Sequence, residues 1–235
     1  KFTFRGKPNQ TRESVSICYR REVEYMDKEI GKLWDKLREL QLFDKTAILL
    51  VGDHGEGLGE YHNDFGDPHF GHIHFLYDVY LHVPLIIRNP SQTQKGTVRS
   101  DYVTLLDVAP TISAMAGIKP LPHSQGRNIL RPDTAKTPLI FEETYRPEAF
   151  KDRFGLLSPP WHLILTPRQE RYELYNLEED PEEKSNLFDG RNWPSELLPL
   201  RQKLEGLARD VLGNKQEIQI DDQTKEMLRA LGYIR

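Results

Sequence analysis

The stretch TAILLVGDHGEGLGE, residues 46–60, decides the fold class. Its first six residues form a continuous apolar run. Before it, residues 14–41 carry apolar side chains at alternating steps of three and four, as an amphipathic helix does. A short apolar run after a long helix is typical of a buried parallel strand. A second run, VPLII at 83–87, follows a polar loop rich in glycine and histidine. This order predicts an α/β domain, in which helices flank a sheet.

The later part of the sequence has a different character. Residues 104–111, TLLDVAPT, lead into a helix that we expect to end at Gly117, a residue type common just past a helix C-terminus. Beyond about residue 120 prolines become frequent, and strand-like runs occur at 138–141 and 161–165. Two further helices are predicted near 197–212 and 222–231. We therefore predict a larger α/β portion over residues 1–125 and a small α+β portion with an antiparallel sheet over residues 126–235.

Composition excludes several classes of protein. Lysine and arginine total 32 against 36 aspartate and glutamate, a net charge of −4, and the two signs are interspersed. Such a balance does not indicate a nucleic-acid partner. The sequence lacks an apolar run of about 18 residues, so we predict no membrane span. The single cysteine, Cys18, excludes a disulfide framework and a cysteine-based zinc site.

The residues that suggest chemistry are Asp53 and His54, directly after the first apolar run. In open α/β sheets, ligands bind beyond the carboxyl ends of the strands. A carboxylate suits hard cations such as Ca²⁺ or Mn²⁺, and an imidazole extends the range to softer ions. Six of the eight histidines lie between residues 54 and 82. For His62, His69 and His82, a surface or packing role is the simpler interpretation. Asp53 and His54 together predict half of a metal site.

Several motifs, taken in order, resemble those of one family. Residues 49–60, LLVGDHGEGLGE, are similar to the second metal motif of the sulfatases, within the alkaline phosphatase superfamily. Residues 72–78, HIHFLYD, followed by VPLII, resemble the family's segment before its next strand. DVAPT at 107–111 and YELYNLEEDP at 172–181 resemble two later family elements. The resemblance extends over nearly the whole chain and implies an alkaline-phosphatase-like mixed sheet flanked by helices.

The resemblance also implies roles for individual residues. Asp53 and His54 would be metal ligands for one divalent ion, with calcium expected and manganese or zinc as alternatives. His72 would be the catalytic group that contacts the sulfate or the leaving oxygen, and His74 a second substrate contact. Some members have a lysine in this region, but this sequence has none between Lys45 and Lys95. The substrate would be a sulfated small molecule or glycan. The compartment stays open, although the family favours secreted, periplasmic or lysosomal proteins.

The attacking group of the family has no counterpart in this sequence. Sulfatases present Cys/Ser-x-Pro-x-Arg, whose first residue becomes formylglycine and attacks sulfur. Cys18 lies in ICYRR, residues 17–21, which lacks the proline and the matching arginine, and we interpret it as a small packing residue. We therefore expect the nucleophile in an N-terminal half that is absent here, and we expect the chain alone to be inactive. That missing half is the predicted protein partner.

Two alternatives remain open. A phosphodiesterase, phosphonate hydrolase or phosphoglycerol transferase of the same superfamily would use similar Asp-His metal motifs but a different nucleophile. A non-catalytic scaffold module would keep the fold without the chemistry. The presence of both Asp53 and His54 argues against the scaffold, because a scaffold does not need a metal pair.

Overall fold

The computed structural model describes eight segments of the chain: 11–62, 66–72, 75–91, 96–119, 121–131, 140–144, 152–213 and 221–231. The chain forms two compact units, Lys1–Trp193 and Pro194–Arg235. The division that we predict near residue 125 rests on the change in sequence pattern alone and stays a prediction.

The first unit begins with a long helix, α1 (Arg12–Glu39), which confirms the helix predicted over 14–41. It starts in a capping box, in which Thr11 Oγ1 accepts the Ser14 N–H at 3.2 Å and Ser14 Oγ accepts the Thr11 N–H at 3.1 Å. The apolar stripe of α1 is largely exposed in the described part of the chain; Met26 and Leu33 are each 54% exposed. Cys18 is exposed as well, so the predicted packing role is not the one it has here.

The strand after α1 differs from the prediction in direction. Strand β1 (Ile48–Val51) pairs antiparallel with β4 (Leu85–Arg88), with Ile48 opposite Arg88 and Val51 opposite Leu85. It is half-buried rather than buried, and Val51 is exposed. The prediction of a buried parallel strand is therefore wrong for this pair. The physical reason is that an apolar run reports how much surface a strand can bury, but not the direction in which its neighbour runs.

The glycine-rich loop between these strands contains ordered structure. A short antiparallel pair, β2 (Gly57–His62) and β3 (Pro68–Gly71), is followed by one helical turn, α2 (Asp78–Leu81). These elements lie between the two apolar runs, and His62 and His69 lie in β2 and β3.

The first unit also contains an antiparallel sheet in the later part of the chain, as predicted. It comprises β5 (Ile140–Thr144), β6 (Arg153–Ser158), β7 (Trp161–Thr166) and β8 (Arg171–Asn176), each hydrogen-bonded to the next. Side chains of β7 and β8 pack against α2 and the residues before it, in one buried cluster formed by Phe75, Leu76, Tyr77, Tyr80, Ile164 and Tyr175. The sheet therefore packs against α2 and fixes its position.

The remaining helices lie close to their predicted positions. A 3-10 turn (Leu105–Asp107) leads into α3 (Val108–Met115), and Gly117 follows with φ +68, as expected for a helix C-terminus. The second unit contains α4 (Leu198–Gly213) and α5 (Asp222–Leu231). Among the described residues, the helices are all too short or too polar to cross a bilayer.

Candidate metal and anion site

The loop of Asp53, His54 and Gly55 rests directly on α2. Gly55 N–H donates to the Tyr80 carbonyl at 2.7 Å, and Gly52 N–H donates to the Pro84 carbonyl at 3.1 Å. A Cβ atom at position 55 would lie 2.0 Å from the Val79 carbonyl oxygen. Only glycine allows so close an approach of two backbones. The one-turn helix α2 therefore determines where the loop lies.

His54 is oriented by its own neighbour. Its Nδ1 lies 2.9 Å from the Gly55 carbonyl oxygen. Because a carbonyl oxygen only accepts hydrogen bonds, Nδ1 carries the proton and Nε2 keeps its lone pair. Metal-binding histidines commonly have this arrangement, with one ring nitrogen donating to a carbonyl while the other binds the ion. The Asp53 carboxylate is close by, with Oδ2 3.7 Å from His54 Nε2.

His72 lies against His54 and pairs with a carboxylate. The two imidazole rings stack with centroids 3.9 Å apart and planes inclined by 24°. His72 Nδ1 is 2.8 Å from Glu56 Oε2. A carboxylate that accepts from Nδ1 leaves the His72 Nε2 atom available, as in His54. The structure thus brings together the predicted metal ligand His54 and the predicted substrate contact His72.

The donor atoms are close enough to share one ion. One ligand atom each from His54, Glu56 and His72 lie within 4.8 Å of one another. Two ligands that are each about 2.0–2.5 Å from an ion can be at most about 5 Å apart. The two imidazoles and the Asp53 carboxylate are all exposed, whereas the Glu56 side chain is only 19% exposed. These residues therefore fit a solvent-accessible divalent cation.

The sequence alone did not reveal that Glu56 contacts His72. Glu56 lies two residues after His54, and its contact with His72 spans sixteen residues of chain. The sequence signal for Glu56 is its place in the glycine-rich run after His54. That run holds several acidic residues, and nothing in the sequence distinguishes Glu56 from the others.

The other histidines of this region have different surroundings. His69 Nδ1 lies 3.1 Å from the Tyr80 hydroxyl, and His82 Nδ1 lies 3.1 Å from Asp78 Oδ2. His62 is exposed at the end of β2. His74, the predicted second substrate contact, lies outside the described residues.

Two buried tyrosines connect the antiparallel sheet to α2. The Tyr77 and Tyr175 hydroxyls both donate to Glu173 Oε2, at 2.7 and 2.8 Å. Burial, followed by the charge of Glu173, raises the pKa of both tyrosines far above the usual range. They therefore remain neutral hydrogen-bond donors. Tyr77 immediately precedes α2, so these bonds connect the sheet to the helix that carries the loop.

Comparisons with known families agree with the motifs. The sulfatase family model matches residues 2–118, and the model for the C-terminal part of N-sulphoglucosamine sulphohydrolase matches residues 66–210. An N-acetylglucosamine-6-O-sulfatase of Bacteroides thetaiotaomicron is 29% identical, with 80% of this chain and 35% of the relative covered. Arylsulfatase K of Bos taurus is also 29% identical, with 77% and 34% covered. The chain therefore spans about a third of the length of these relatives.

Solved structures give the same result. One solved protein, in complex with its substrate D-glucosamine-2-N,6-O-disulfate, has a TM-score of 0.65 and 25% identity over 80% of this chain and 38% of its own. A phosphonate monoester hydrolase from Silicibacter pomeroyi has a TM-score of 0.61 at 22% identity, over 84% of this chain and 41% of its own, and shares the fold. The predicted α/β fold class is confirmed. On the match of the family models and the order of its motifs, this chain belongs to the sulfatase family.

Proposed function

We propose that this chain supplies the metal ligands and an anion-contacting imidazole of a sulfuric ester hydrolase. The observation that carries the proposal is the convergence of His54, Glu56 and His72, whose ligand atoms lie within 4.8 Å of one another beside Asp53. Membership of the sulfatase family supports a sulfate ester as the anion that this set would hold.

Each residue of the site has a separate proposed role. Asp53 and His54 Nε2 would hold the divalent ion, and the Gly55 carbonyl keeps the His54 ring in the tautomer that leaves Nε2 available. Glu56 orients His72, whose Nε2 atom contacts the sulfate or the leaving oxygen. An ion bound there would offset the negative charge that develops on the sulfate oxygens. Stacking of the two imidazoles keeps the anion contact beside the cation.

A second assignment makes His72 and Glu56 ligands of the same ion. The 4.8 Å limit on their separation from His54 favours it. Two imidazoles and a carboxylate are a donor set typical of zinc or manganese, whereas the predicted calcium prefers oxygen ligands. Titration of the His72→Ala variant with Mn²⁺, Zn²⁺ and Ca²⁺ separates the two: unchanged affinity supports a substrate contact, and loss of affinity supports a ligand.

For the substrate we propose a sulfated saccharide that contains glucosamine. The matched family model, the bacterial relative and the substrate-bound solved structure all bear names that refer to sulfated glucosamine. Arylsulfatase K, at the same identity as the bacterial relative, is the reason to include an aryl sulfate in any test. The phosphonate monoester hydrolase shares the fold and requires a phosphonate ester control.

The attacking residue is proposed to lie outside these 235 residues, because they contain no Cys/Ser-x-Pro-x-Arg motif. The test compares the 235-residue chain with the full-length gene product on glucosamine 6-sulfate, an aryl sulfate and a phosphonate monoester. We expect sulfate release from the sulfated sugar by the longer protein and none by the shorter chain. Sulfate release by the 235-residue chain at the rate of the longer protein would overturn the assignment, as would preference for the phosphonate.

A further inference from the structure

We propose that residues 182–184 act as a clamp that positions the loop of Asp53, His54 and Gly55, called the metal loop below. Glu183 is the principal positioning residue of this clamp. The catalytic meaning of this clamp rests on the proposed function, but the contacts themselves do not. Three consecutive residues each form a hydrogen bond to the elements on either side of the loop, across more than a hundred residues of chain.

Glu183 makes the contact with α2. Its Oε2 accepts the Asp78 N–H, the first of the helix, at 2.5 Å. Its Oε1 lies 2.6 Å from Nδ1 of His162 on β7. Both side chains are almost completely buried, at 0% and 3% exposure. One carboxylate therefore connects α2 to the sheet, and each of its oxygens has a partner.

The neighbours of Glu183 contact β2. The Glu182 carbonyl accepts the Tyr61 hydroxyl at 2.6 Å. Lys184 Nζ donates to the Glu60 carbonyl at 2.9 Å and lies 3.8 Å from the centroid of the Tyr61 ring. These contacts hold the strand that begins just after the metal loop.

The backbone of Glu183 indicates that this arrangement is maintained by its contacts. Its φ is +52, in the left-handed region that residues with side chains rarely adopt. Such a conformation persists where the surroundings over-determine it, and it is common at sites where precise placement matters. The two bonds of the buried carboxylate are contacts of this kind.

The clamp lies on both sides of the metal-binding residues. On one side, α2 accepts the Gly55 N–H through the Tyr80 carbonyl at 2.7 Å. On the other side, Glu60 of β2 accepts the Leu58 N–H through Oε2 at 2.5 Å. Glu56 lies between Gly55 and Leu58, and His54 directly precedes Gly55. Loosening the clamp should therefore increase the motion of the loop without removing any ligand.

The test uses Glu183→Gln, which keeps an acceptor for the Asp78 N–H, and Glu183→Ala, which does not. A double variant, Tyr61→Phe with Lys184→Met, releases the β2 side and leaves Glu183 intact. Leu156→Ala is the matched control, because Leu156 is fully buried in β6 and lies outside the clamp. The readouts are Mn²⁺ affinity and hydrogen–deuterium exchange of the metal-free protein over residues 52–58 and 77–82.

We expect Mn²⁺ affinity to fall about tenfold in Glu183→Ala, the lower end for residues that act behind metal ligands, and less in Glu183→Gln. Exchange over 52–58 should accelerate in both Glu183 variants and in the double variant. Leu156→Ala should lower the unfolding midpoint and leave affinity and local exchange unchanged. If Glu183→Ala does not fold, Glu183→Gln and the double variant carry the test.

Two failures are distinguishable. Wild-type exchange rates over 52–58 in every clamp variant would overturn the clamp, and so would a change in Leu156→Ala equal to that in Glu183→Gln. Absence of Mn²⁺ binding by the wild-type chain would overturn the proposed function, while the exchange data from the metal-free protein would still decide the clamp.

Discussion

Replacement of Gly55 by alanine should disrupt the metal loop more than any other single methyl addition in this region. The new Cβ would lie 2.0 Å from the Val79 carbonyl oxygen, 2.9 Å from the Val79 carbonyl carbon and 3.0 Å from Tyr80 Cα. Carbon–oxygen contacts are normally about 3.3 Å or longer, so the loop must move by about 1.3 Å. That movement breaks the 2.7 Å bond from Gly55 N–H to the Tyr80 carbonyl.

The cost follows from these two effects. Overpacking costs about 1–3 kcal/mol and loss of the backbone hydrogen bond about 0.5–1.5 kcal/mol, so the free energy of unfolding should fall by about 2–4 kcal/mol. For a chain of this size the melting temperature should fall by about 5–15 °C. The assay is thermal unfolding followed by circular dichroism, together with Mn²⁺ titration of the folded protein, whose affinity should also fall.

Gly31→Ala is the control for this variant. Gly31 lies in α1, and a Cβ atom added there would have nothing within 4 Å, so alanine should stabilise the helix by about 0.8–1 kcal/mol. A Gly55→Ala protein that melts at the wild-type temperature and binds Mn²⁺ with wild-type affinity would refute the placement of the loop on α2.

Three further predictions concern metal binding, alkaline stability and the cysteine. His54→Ala should weaken Mn²⁺ binding by at least about tenfold in calorimetric titration, whereas His82→Ala, which removes a surface pair, should not; equal effects would contradict the site. Because burial raises the pKa of Tyr77 and Tyr175 above the ordinary 10.0, the unfolded state loses these protons first, so the stability present below pH 10 should be lost as pH rises above it. Urea unfolding at pH 8 to 11 should show a smaller loss in Tyr77→Phe, and a loss equal to that of the wild type would argue against this linkage. Cys18 is exposed, so a thiol reagent should label it in the native protein without changing Mn²⁺ affinity; labelling only after unfolding would contradict its position on α1.

Local patterns predicted the helices and the antiparallel sheet well. The three-and-four spacing in α1 and the glycine after α3 are properties of a few turns of chain, and the structure has both elements at those places. The direction of β1 was not accessible in the same way. The run at 48–51 states that the strand is apolar, while its antiparallel pairing with β4 depends on how 33 intervening residues return the chain.

The site was predictable only in part for a similar reason. Asp53 and His54 follow a strand directly, so their position suggested metal binding. Glu56 is distinguished by its contact with His72, and Glu183 by a contact with Asp78 that spans 105 residues. Neither contact leaves a periodic trace in the sequence, because it depends on packing between distant segments.

The most direct test of the metal site is pulsed electron paramagnetic resonance of Mn²⁺ bound to this chain. We expect one bound ion with nitrogen coupling from a directly coordinated imidazole, and loss of a nitrogen coupling in His54→Ala. Bound Mn²⁺ without imidazole coupling, or a spectrum that His54→Ala leaves unchanged, would contradict the proposed role of the loop that begins at Asp53.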